Sequence, residues 1–102
     1  MAFDGTEGGQ ITLEQGADLT ANYRAANPLK RLGNFYGKDI LTELLRQEGC
    51  MGIRMYYGED ADGNRELVLV GADANEDDML ELVVDLSKPC PNRCGTSNDL
   101  NS

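Results

Sequence analysis

The sequence predicts an α+β domain: two N-terminal helices packed on one face of a small three-stranded antiparallel sheet. Three observations carry this expectation. Ile40, Leu41, Leu44 and Leu45 recur at helical spacing. Residues on either side of Asp62-Gly63, a turn signal, have the composition and alternation of strands. Leu67, Val68, Leu69 and Val70 are all apolar, as in a strand with neighbours on both sides, so a third strand is required.

Residues 1–10 are polar and glycine-rich, and a flexible N-terminal segment is expected there. Thr12-Leu-Glu-Gln15 has the capping-box pattern, in which the Thr12 hydroxyl accepts from the Gln15 backbone and Gln15 reaches back. A helix over Leu13–Ala26 follows, with Leu13, Ala17, Thr20 and Ala21 as its apolar face and Leu19 and Tyr23 on the flank. Pro28 disfavours helix at Asn27 and ends it. The connection 27–36 carries Leu29, Leu32, Phe35 and Tyr36, enough apolar surface to pack onto the core.

The second helix is expected over Lys38–Glu48, with Gly49 in the left-handed conformation behind it. The hairpin then runs out through Ile53, Met55 and Tyr57, turns over about Gly58 to Asn64, and returns. Pairing Tyr57 with Arg65, Met55 with Leu67 and Ile53 with Leu69 turns one apolar set toward the helices. Arg54, Tyr56, Glu66, Val68 and Val70 then share the other face. Residues Leu80–Leu86 alternate as a third strand. Met79, Leu82, Val83 and Leu86 also fit a helix, and the strand is preferred. Pro89 and Pro91 are expected to stop regular structure, leaving 11–90 as a single domain and 91–102 as a mostly flexible Cys/Pro-containing tail.

The chain has 102 residues, of which 18 are acidic and 9 basic, for a net charge of −9. A chain of this size buries roughly 65% of the surface its unfolded form exposes, enough for one modest core. Basic side chains dominate binding to phosphate backbones and anionic membranes, so neither nucleic acid nor membrane is an expected partner. No apolar run approaches the roughly 18–20 residues of a membrane span, and the N-terminus lacks the apolar stretch of a secretory signal. A cytoplasmic setting with reduced thiols is the resulting expectation.

Histidine is absent, which removes the commonest general base and metal ligand. No phosphate-binding glycine loop occurs either. Neither catalysis nor a cofactor is expected; an enzyme would need carboxylates such as Glu43, Asp73 and Glu81 gathered in a pocket. Asp60-Ala-Asp62-Gly-Asn64 resembles the start of a calcium loop, but Arg65 and Gly71 fall where such loops need glycine and a bidentate glutamate. Cys90-Pro-Asn-Arg-Cys94 is the most specific local feature, and ordinary thiols, a small disulfide loop and a metal pair are all open to it. Cys50, between helix and strand, reads as a small buried side chain. Arg54 is a lone charge in an apolar strand. It reads either as an ion pair with Glu66 on a solvated face or as an anchor of a binding surface.

The runs G-C-M-G-I-R-M-Y-Y-G, D-G-N-R-E-L-V-L-V-G-A-D and P-C-P-N-R-C-G, with F-Y-G-K-D-I-L-T-E-L-L upstream, resemble a family of small uncharacterised proteins of Bacteroidota-type bacteria. The resemblance spans about residues 11–95 and implies a small cytoplasmic α+β domain without an assigned activity. Asn92-Arg93 departs from the proline and aromatic residue expected between the cysteines. The expected function is that of a small acidic, non-enzymatic interaction or accessory protein. It would bind a protein partner, or itself as a homo-oligomer, through Arg54, Tyr56, Glu66, Val68 and Val70. The alternative is a metal- or redox-linked regulator using Cys90 and Cys94.

Overall fold

The computed structural model describes residues 2–102. The fold is α+β, with two helices and five antiparallel strands. In chain order these are α1 (Leu13–Ala26), β1 (Gly33–Phe35), α2 (Lys38–Arg46), β2 (Cys50–Glu59), β3 (Arg65–Asp73), β4 (Asp78–Val84) and β5 (Lys88–Cys90). The strands form a three-stranded sheet in the order β2-β3-β4 and a separate two-stranded ribbon of β1 and β5. Two compact units result: one from the residues up to Gly8 and Tyr36–Ser87, the other from Gly9–Phe35 and Lys88–Ser102.

The first unit holds the sheet and α2. Gly37 precedes α2 without a side-chain cap, while Asp39 in the first turn and Arg46 in the last complement the helix dipole. Ile40, Leu41 and Leu44 pack with Ile53, Leu67, Leu69, Leu82 and Val84 around a core whose fully buried centre is Leu44 and Leu69. Leu45, expected in the same stripe, stays half exposed. The helix ends two residues earlier than Glu48, because the Gln47 side chain caps the Leu44 carbonyl at 3.0 Å. Gly49 takes the expected left-handed backbone, with φ of 84°.

In the hairpin Tyr57 faces Leu67, Met55 faces Leu69 and Ile53 faces Gly71. This register is two residues away from the expected one. The cause is the turn, which is shorter than Gly58–Asn64. Asp60 N–H donates to the Asn64 carbonyl at 2.9 Å, so both strands run on past Gly58. A two-residue slip keeps every side chain on its face. Ile53, Leu67 and Leu69 therefore still share the core, although Met55 stays exposed.

Residues 80–86 resolve as strand through Val84, as preferred. Between the pairs Gly71–Met79 and Val70–Val83 the register jumps, and Leu80 to Leu82 bulge out. Leu82 folds back onto the core while Leu80 stays exposed. Residues 2–8 belong to this unit: Phe3 N–H donates to the Ala74 carbonyl at 3.1 Å.

The second unit contains α1, whose capping box is present in both directions between Thr12 and Gln15. The two helices do not form one layer on the three-stranded sheet, as the sequence had implied; α2 alone is the helix of that unit. No residue of α1 is fully buried. Gly16, Ala17, Thr20 and Tyr23 are its more covered side, whereas Leu13 and Ala21 are exposed. Leu100 packs beside Gly16, and Arg24 donates to the Leu100 carbonyl at 2.8 Å. The tail is thereby tied down, with Asn98 and Asn101 bonded to each other and to the Cys94 and Thr96 carbonyls.

Pro89 does not stop regular structure. It pairs with Asn34 in a short ribbon, where the loss of one N–H is tolerable because no further strand lies alongside. Leu29 and Phe35 remain exposed rather than packing onto a core.

Candidate functional site

The residues singled out on the second sheet face are brought together only in part. Arg54 sits on β2 opposite Val70, and Asp78 on β4 sits opposite Ala72, so the two side chains project from one face and form an ion pair. Arg54 also donates to the Glu76 carbonyl at 3.3 Å, and its guanidinium lies 5.3 Å from the centre of the Phe3 ring. Tyr56 donates to the other Asp78 oxygen. Hydrogen bonding from Tyr56, followed by Arg54, holds the Asp78 carboxyl below its ordinary 3.8. The same bonds raise Arg54 and Tyr56 above their ordinary values.

The partner of Arg54 is thus Asp78, not Glu66. Val70, expected at a contact surface, is 2% exposed and cannot meet a partner. Glu66 and Val68 are half-buried toward the turn of the β2–β3 hairpin. Sequence reasoning missed Asp78 because it lies in an acidic turn run with nothing to mark it. It missed Phe3 because the glycines around it read as mobile.

Toward the turn of the β2–β3 hairpin, β2 exposes three consecutive large side chains: Met55 at 54%, Tyr56 at 46% and Tyr57 at 83%. They alternate between faces of a strand at the sheet edge. At the other end of β2 lies a groove of about 460 Å³, lined by Phe3, Glu7, Leu45, Met51, Ile53 and Arg54 among others. Ile53 points toward α2 and Arg54 away from it, so the groove takes in both faces of β2 between Leu45 and Phe3, and it reaches Ala72 on β3.

The two acidic turns are built alike. Asp60 Oδ1 accepts from the N–H groups of Asp62 and Asn64, and Asp73 Oδ1 from those of Asn75 and Asp77. These oxygens hold the turns together, as Asp side chains do where the backbone reverses. Among the described residues no group of three or more Cys, Asp or Glu is arranged to hold a metal ion. Glu43 and Glu81 are exposed and Asp73 serves its own turn, so these carboxylates form no pocket.

Cys90 and Cys94 are joined in a disulfide across Cα atoms 4.7 Å apart, which takes up both thiols of the alternative metal pair. Cys50 is free, half-buried, and 3.2 Å from the Gly52 carbonyl. Among the described residues no helix is long and apolar enough to cross a membrane. No family model, no curated protein and no solved structure matches the chain.

Proposed function

We propose that this is a small non-enzymatic interaction protein that binds a protein partner, or a second copy of itself, through the three-stranded sheet. The observation that supports this reading is the exposed run Met55-Tyr56-Tyr57 at the sheet edge. Aromatic and methionine side chains are enriched in protein interfaces, and edge strands left bare invite pairing. Tyr56, Glu66 and Val68 continue the surface onto the second face, while Arg54 and Val70 support it from below. The absence of histidine and of gathered carboxylates favours binding over catalysis. Nucleic acid and anionic membranes fit such an acidic chain poorly.

The test pairs Met55→Lys with Tyr57→Lys. Both side chains are exposed, so circular dichroism should be unchanged. Complexes recovered from the native cell and self-association by sedimentation should both be abolished. Survival of a complex through both substitutions removes the ribbon from the binding surface.

The disulfide favours the redox-linked alternative over the metal-linked one, with Cys90 also accepting the Leu32 N–H in the ribbon of the second unit. It also favours an oxidising compartment, against the cytoplasmic setting. Thiol titration of protein from the native cell decides between the two settings. The motif resemblance to small Bacteroidota proteins remains part of this proposal, and alignment of their sequences over residues 11–95 would test it.

A further inference from the structure

We infer that the free edge of β2 takes up an extended, lysine- or arginine-flanked apolar strand of another protein. This deepens the binding reading above and rests on it.

The backbone makes the first demand. Among the described residues β2 pairs with β3 and with no other strand, so alternate N–H and C=O groups along its outer side lack strand partners. Natural edges are blunted by lysine, proline or bulges. Here β2 contains no lysine and no proline, and Asp78 already holds its single arginine. The irregularity between Cys50 and Gly52 disturbs one end alone.

The groove gives the second demand. A small-molecule site needs a few convergent polar groups. The two charged side chains lining this groove are committed elsewhere. Glu7 accepts from the Asp4 and Gly5 N–H groups at 3.0 Å, and Arg54 is held by Asp78 and the Glu76 carbonyl. Gly5 lies against the Met51 carbonyl, and what remains beyond it is strand backbone between apolar walls, Leu45 and Ile53 on one side and Phe3 on the other. An extended chain satisfies that backbone and sends alternate side chains to the two walls.

Charge selects the occupant. The first unit holds 15 acidic and 4 basic side chains, a formal −11; the second holds 3 and 5, or +2, and together they make the chain's −9. A second copy of the first unit would bring a like net charge of −11 to this edge. A segment with flanking basic residues meets the opposite charge.

The probe is a synthetic peptide, Lys-Lys-Val-Thr-Val-Thr-Val-Lys-Lys, titrated into the full chain and read by anisotropy and by amide shifts in a heteronuclear spectrum. The amides of residues 53–57 should move. A glutamate-flanked version should bind at least about tenfold more weakly, and a version with proline at the central valine should not bind. Equal binding of the glutamate version, binding of the proline version, or no binding by any peptide overturns the inference. So does a dimer whose β2 amides are protected before peptide is added, since a second copy then fills the edge. A complex lost on Met55→Lys with Tyr57→Lys, beside a peptide that fails, leaves the binding reading standing and removes this one alone.

Discussion

At the scale of single residues, Asp78 does the most with the least sequence signal. It accepts from Arg54 and Tyr56 and joins the two outer strands of the sheet across β3. Its carboxyl is more acidic in the folded chain than its ordinary 3.8. The ionised form therefore stabilises the fold above that value, and the contribution disappears as pH falls through it toward the lower folded value. Asp78→Asn should be less stable than the parent at about pH 7, with the gap closing as the pH falls below the ordinary 3.8. Urea titrations at the two pH values check this; a gap that persists in acid removes the charge from the account. A lone arginine in an apolar strand was visible in the sequence as something needing an explanation. The identity of its partner was not, because pairing across a sheet depends on register and on the β4 irregularity, neither of which local periodicity encodes.

At the scale of elements, the junction of α2 and the sheet depends on an absent side chain. A Cβ at Gly71 would lie 2.7 Å from Gln47 Nε2 and 3.0 Å from Cys50 Sγ. Gln47 caps the last turn of α2, so Gly71→Ala should displace that cap and cost about 1 kcal/mol, the usual worth of one such bond. Denaturant unfolding measures it. Combining it with Gln47→Ala should add little, because the cap is then already gone. The helix, both hairpin strands and the third strand were legible from local signals: Ile40, Leu41 and Leu44 at helical spacing, the unbroken apolar run Leu67 to Val70, and the alternation of Leu80 to Val84, a segment that fitted a helix as well. The position of α1 was not. Of its expected face, Ala17 and Thr20 are covered while Leu13 and Ala21 are exposed, and the residue packed beside Gly16 is Leu100, far away in the chain. The β1–β5 ribbon was equally hidden, since three residues on each side are too few to show alternation.

At the scale of the molecule, charge is segregated: almost all of the negative charge lies in the unit that bears the β2 edge. Self-repulsion of that kind weakens a compact state, and salt screens it over about 8 Å at physiological ionic strength. The midpoint of thermal unfolding should therefore rise when sodium chloride is added to a low-salt buffer. A midpoint that falls would mean that attractive pairs such as Arg54–Asp78 outweigh the repulsion.

The ribbon also fixes an order of assembly. Gly33–Phe35 can find its mate only after Lys88–Cys90 has been synthesised. The residues between them complete the sheet within a much shorter span of chain. On a ribosome, α1 would emerge early and wait, without the strand and the Leu100 anchor that complete its surroundings, until residues 88–100 have emerged as well. Arrival of the later segment, rather than formation of the helix, is the moment at which that half of the protein can close.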